Sequence, residues 1–141
     1  MKGTRPLTTD EILKVSERFS GTFEVRNRSL FILGVSVGGR ISELLALKIE
    51  DVWQNGAPVS DLLFQKGVVK GKDTARMIPV NEDGRQAIAD LISWHRERYF
   101  YLDPLRPLFP SRKFGDALSR SQAHRILEAV SYTHLTLPTK A

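Results

Sequence analysis

The run from Leu30 to Val37 carries almost no polar side chain, and it ends on Gly38-Gly39-Arg40. A helix that is apolar all round has no face for water, so it belongs at the centre of whatever fold forms. Eight residues are far too few to cross a membrane, so the run has to be covered by the rest of this chain. Two glycines then break the helix, and Ile41-Ser42-Glu43-Leu44-Leu45-Ala46-Leu47 begins a new amphipathic one. Arg40 sits at the joint, between two packed elements. A guanidinium held there suits two-point contact with a phosphate, because its planar fork matches two phosphate oxygens. The plain alternative is a loop arginine in solvent.

The remaining segments can be assigned around that centre. Thr8 and Glu11 have capping-box spacing and open a first helix. Ile12, Val15 and Phe19 mark its buried face, and it is predicted to end near Ser20-Gly21. The second helix runs from about Glu24 to Val37. The third follows Arg40, turns Leu44, Leu45 and Leu47 inward, and leads to Ile49-Glu50-Asp51-Val52. Gln54-Asn55-Gly56-Ala57-Pro58 is turn chemistry. Leu62 to Val69 and Ala75 to Val80 are predicted strands, joined by the polar tip Lys70-Gly71-Lys72-Asp73-Thr74. Helical periodicity returns from Glu82 to Tyr101, with Ile88, Leu91, Ile92, His95 and Tyr99 on one face. Asp103 to Pro107 is a loop. Ser119 and Gln122 form a second capping box, opening a last helix that buries Ile126, Leu127 and Val130. The order predicts an α+β, mainly helical domain: a helical bundle with a small antiparallel β-sheet, the hairpin, on one side.

The chain has 141 residues, no cysteine and a formal net charge of +5. That length fits one domain. The lack of cysteine excludes a disulfide framework and cysteine-ligated zinc, and fits a cytoplasmic protein. No apolar leader follows Met1, so no signal peptide is expected. The positive charge points to a polyanionic partner. Residues 131–141 carry no periodic pattern and read as a non-native or disordered tail, leaving 1–130 as the domain.

Three stretches carry a family resemblance. Gly38-x-Arg40-Ile41-Ser42-Glu43-Leu44-Leu45-Ala46-Leu47, with Asp51-Val52 after it, resembles the first catalytic box of the tyrosine recombinases, or phage-type integrases. Lys70-Gly71-Lys72-Asp73-Thr74-Ala75-Arg76-Met77-Ile78-Pro79-Val80 resembles the hairpin that bears their catalytic lysine. Leu108-Phe109-Pro110-Ser111, then Leu118-Ser119-Arg120, completes the set in the same order. The likeness covers roughly residues 5–130.

The resemblance implies DNA integration or recombination through a 3′-phosphotyrosine, with no cofactor and no metal. It gives Arg40 the task of stabilising charge on the attacked phosphate. A hairpin lysine would protonate the departing 5′-oxygen. Lys72 is favoured over Lys70, although neither has the commonest spacing from Arg76-x-x-Pro79. Glu43 either orients Arg40 or anchors the first turn of its helix, the second being the stronger reading. Arg76, Arg112, Lys113, Ser119, Arg120 and Arg125 are candidate DNA contacts, with a solvated basic face as the alternative. The implied partners are double-stranded DNA and further copies of the protein, four assembling on two sites. The implied setting is the cytoplasm of a prokaryote, with a phage or plasmid as a further source.

The family's His-x-x-Arg box and its nucleophilic tyrosine would follow Val130. The expected domain is therefore a partial catalytic domain with no nucleophile in this chain, and inactive by itself. His95-Arg96-Glu97-Arg98 spells the box but precedes Leu108, and His95 falls on an apolar face, as a packed histidine does. Two other classes compete with the recombinase: a non-catalytic DNA-binding module, and a helical domain that binds another protein.

Overall fold

The computed structural model describes residues 8–38, 40–64, 76–113 and 115–131. Helix α1 spans Thr9–Ser16, and the Thr8–Glu11 capping box is formed in both directions. It ends earlier than the periodicity predicts. Ser16 Oγ donates to the carbonyls of Ile12 and Leu13, a local bond that competes with continuation of the helix. Phe19 lies beyond the helix end and is still buried, tilted against Phe31.

Helix α2 covers Glu24–Val37, as the sequence predicts, and its end is set by Gly38 at φ 66°. A left-handed residue there costs glycine nothing. Leu30, Phe31 and Leu33 on α2 are almost wholly enclosed.

The third predicted helix is two. Helix α3 is Ile41–Leu45 and helix α4 is Ile49–Val52. Leu47 and Lys48 between them are drawn into pairing with the later loop, where the Leu108 amide donates to the Leu47 carbonyl and the Ile49 amide donates to Arg106. Lys48 is extended, and Asp51 Oδ2 accepts from its amide at 2.8 Å, which restarts the helix.

Two small antiparallel sheets follow where one hairpin was predicted. Strands β1 (Trp53–Gln54) and β2 (Ala57–Pro58) flank Asn55 and Gly56, both with positive φ. That is the turn whose twist suits a two-residue hairpin. Strands β3 (Asp61–Phe64) and β4 (Arg76–Pro79) pair Asp61 with Pro79 and Phe64 with Arg76. Leu62 and Phe64 point inward and Asp61 and Leu63 outward. Residues 65–75, the remainder of the predicted hairpin, lie outside the described residues.

Helix α5 is Glu82–Tyr99 and stops at Phe100, which takes φ 68°. Helix α6 is Arg120–Ser131, with the Ser119–Gln122 capping box in place. Ile126 and Leu127 are half-buried, and Ser131, assigned to the tail by its sequence, belongs to this helix. The rest of the predicted tail lies outside the described residues.

Helix α5 lies antiparallel against α2. Gly84 at its start is so close to α2 that a Cβ would meet Ser36 Oγ and Val80 Cγ1 at 2.7 Å. Trp94 near its end donates to the Thr22 carbonyl at 3.1 Å, just before α2 begins. One face of this pair carries Leu108 and Phe109, both fully enclosed. Among the described residues no helix is long and apolar enough to cross a membrane.

Candidate functional site

Arg40 occupies the joint between α2 and α3. Its backbone is extended, its side chain region is exposed, and its carbonyl accepts from the Leu44 amide. The geometry is imposed from both sides: Gly38 turns the chain out of α2, and α3 starts one residue after Arg40.

Glu43 is the keystone beneath it. Its side chain has no exposed surface. Oε1 accepts from the Arg40 amide at 2.9 Å and from Arg76 Nη2 at 3.1 Å. Oε2 has no hydrogen-bond partner among the described residues. Glu43 thus holds the backbone at Arg40 and ties it to β4. No bond from Glu43 to the Arg40 guanidinium is found among the described residues.

Arg76 is the first residue of β4 and pairs across the sheet with Phe64, over whose ring its guanidinium lies at 5.5 Å. The chain leaves β3 at Phe64 and re-enters β4 at Arg76, so the root of the hairpin stands at the start of α3. Lys70 and Lys72 themselves lie outside the described residues.

The other basic candidates gather elsewhere, around the start of α6. Arg112, Lys113, Arg120 and Arg125 are all exposed. The Ser119 hydroxyl accepts from the Gln122 amide, so it already serves as a helix cap. Lys113 belongs to a tight turn in which its amide donates to Ser111 Oγ and its carbonyl accepts from the same hydroxyl. Next to them lies a cleft of about 640 Å³ lined by Arg26, Arg98, Arg112 and Arg125. Sequence reading missed Arg26 and Arg98. Arg26 is almost fully buried, with Nη1 donating to the Pro110 carbonyl and Nε to Asn27 Oδ1. Burial, and then the charge of Arg112, pull its pKa down to about 10, so it remains cationic at neutral pH.

His95 is fully enclosed, with Nε2 at 2.9 Å from the Leu108 carbonyl. Burial holds its pKa down to about 4. It is a neutral core histidine between Trp94 and Tyr99. Tyr99 is half-buried in that aromatic cluster, and Tyr101 lies under Arg106. Both tyrosines stand at the end of α5 that meets the start of α2. Arg40 follows the other end, and α2 has 14 residues, roughly 21 Å at 1.5 Å per residue. Both tyrosines therefore stand about a helix length from Arg40.

Among curated proteins the chain is 32% identical over 133 residues to the tyrosine recombinase XerD of Mycobacterium leprae (strain TN). The chain is similar to part of a tyrosine recombinase. The match takes in 88% of this chain and 40% of that relative, so the chain spans well under half the relative's length. No family model matches. Two solved recombinases share the architecture. XerH bound to its difH substrate, in a pre-cleavage complex, superposes with a TM-score of 0.59 at 27% identity, covering 94% of this chain and 38% of that one. XerA superposes with a TM-score of 0.63, covering 89% and 41%; at 20% identity it speaks for the fold alone.

Proposed function

We propose that this recombinase segment serves site-specific DNA breakage and rejoining by holding the attacked phosphate between Arg40 and the hairpin lysine. One observation carries the reading: the buried Glu43 carboxylate binds both the Arg40 backbone and Arg76 at the foot of the hairpin. A transition state with extra charge on two non-bridging oxygens is stabilised best by cations that need not reorganise. Arg40 is the cation at the phosphate. Lys72, with Lys70 as the alternative, is the general acid for the leaving 5′-oxygen. In sequence they precede Arg76 by four and six residues, and four residues of chain reach at most about 14 Å. Glu43 and Arg76 fix the geometry, and double-stranded DNA is the partner; the similar XerH structure is bound to its difH substrate.

The segment binds DNA without cutting it, because activation of one group cannot replace an absent nucleophile. Two measurements test this. A labelled duplex titrated between low and moderate salt should lose affinity steeply, as phosphate contacts release counterions. Arg40→Ala should weaken binding uniformly across sequences. Affinity indifferent to salt would defeat the reading. A nicked suicide duplex should give no covalent band on denaturing gels. A band lost in Tyr99→Phe or Tyr101→Phe would show that the site has been placed at the wrong end of α2, and one lost in Tyr132→Phe would place the nucleophile in the tail.

A further inference from the structure

Three guanidinium groups converge on one phenyl ring at the start of α2. Their central carbons lie 4.2 Å (Arg26), 4.5 Å (Arg98) and 5.6 Å (Arg112) from the centre of Phe23. No two of these carbons are therefore more than about 10 Å apart, which is no further than the screening length of 0.1 M salt. They come from three separate parts of the chain. Arg125 of α6 lines the same cleft, and among the described residues no carboxylate does. None of the four is ion-paired among the described residues, whereas Arg28, one turn along α2, is neutralised by Glu24 at 2.7 Å. Burial lowers the pKa of Arg26 most, and the nearby charges of Arg112 and Arg98 lower it further.

Packing on the ring explains part of this arrangement, since each cation is attracted to the aromatic face. One ring does not require three cations, and among the described residues no acid lines the cleft to offset them. Uncompensated positive charge in a concave site is the electrostatic form of an oxyanion site. The exposed Arg98 and Arg112 can present their forks to it, and the buried Arg26, fixed by Pro110 and Asn27, cannot swing away.

We propose that this cleft is a second phosphate site, which seats a backbone phosphate of duplex DNA remote from the one at Arg40. This rests on the DNA reading above. The length of α2, roughly 21 Å, separates the two sites, a span of about six steps along a duplex at 3.4 Å per step. The cleft adjoins the start of α6, where Gln122 and Arg125 line its rim.

The test is anisotropy of a labelled generic duplex from 50 to 200 mM KCl, with four proteins. Arg98→Ala/Arg112→Ala should weaken binding by about tenfold and lower the log–log salt slope by about 1, the signature of one lost phosphate. Arg98→Lys/Arg112→Lys should recover part of the affinity, because it keeps charge but not the fork. Arg28→Ala removes one charge outside the cleft and should leave binding within about twofold of the unsubstituted chain. Thermal melts show that each protein is folded at the temperature of the titration, since Arg98 and Arg112 also pack on aromatic rings. Unchanged binding in the double-alanine protein, or an equal loss in Arg28→Ala, overturns the proposal and leaves the DNA reading standing. No duplex binding by any of the four defeats both. Inorganic pyrophosphate, followed through the arginine Nε–Hε NMR signals, separates the sources of phosphate. Saturation at micromolar pyrophosphate would make the cleft a site for a free polyphosphate and overturn the assignment to DNA.

Discussion

Replacing Glu43 probes the joint at Arg40 directly. Alanine removes the acceptor of the Arg40 amide, a capping bond at the start of α3. Loss of such a cap costs about 1 kcal/mol, and truncating a side chain with no exposed surface leaves a cavity that adds about 1–2. The Arg76 bond adds little, because that side chain is 40% exposed and rehydrates when released. Removal of the buried Oε2, which lacks a partner among the described residues, gives some of this back. The expected cost of Glu43→Ala is therefore about 2 kcal/mol. Glutamine keeps an acceptor oxygen in the same volume, and its cost should be about 0.5–1 kcal/mol. Urea titrations at neutral pH, read from midpoints with a common slope, resolve that difference. If alanine cost less than about 0.5 kcal/mol, Glu43 would not be holding the joint. If glutamine cost as much as alanine, the negative charge rather than the two hydrogen bonds would be the source of the stability.

His95 gives a pH dependence of known sign. Its folded pKa of about 4 lies below the ordinary 6.5, so the unfolded chain takes up more protons between those values, and stability falls as pH drops from 6.5 toward 4, by about 1 kcal/mol per pH unit. Urea midpoints at pH 7 and pH 5 should diverge more for the unsubstituted chain than for His95→Gln, and equal divergence would contradict the assignment. Gly84→Ala brings a Cβ to 2.7 Å from Ser36 Oγ and the stiff Val80 side chain, so it should destabilise by about 1–2 kcal/mol despite alanine's better helix propensity. A stabilised Gly84→Ala protein would mean that α2 and α5 are less closely packed than described.

Much of the fold was legible because its determinants are local. The span of α2 follows from an apolar run and a glycine that can turn left-handed, and both are visible in a few adjacent letters. The capping boxes at Thr8 and Ser119 are four-residue signals and formed as read. The failures are tertiary. Nothing near Leu47-Lys48 breaks a helix; the break comes from backbone pairing with residues 106–108, which are distant in sequence. Strands β1 and β2 have two residues each, too few to display a period, and only Asn55-Gly56 marked their turn.

The same division separates the two basic regions. Arg40 and Glu43 are three residues apart, so their backbone-to-carboxylate bond belongs to the first turn of a helix and can be read from spacing. The bond from Glu43 to Arg76 spans 33 residues and depends on where the β3–β4 pair docks. The arginines around Phe23 have no local signature at all. Arg98 falls in the stretch His95-Arg96-Glu97-Arg98, whose His-x-x-Arg spelling drew attention to His95, yet it is the arginine at the end of that spelling that reaches the cleft. What brings it there is the antiparallel packing of α5 on α2, fixed at one end by the missing Cβ of Gly84 and at the other by the Trp94–Thr22 bond. That packing places the end of α5 beside the beginning of α2, and so puts the arginine cleft a full helix length from Arg40. A duplex can engage the two regions together only through phosphates that far apart, so a DNA too short to span them should lose one contact and with it part of the salt dependence.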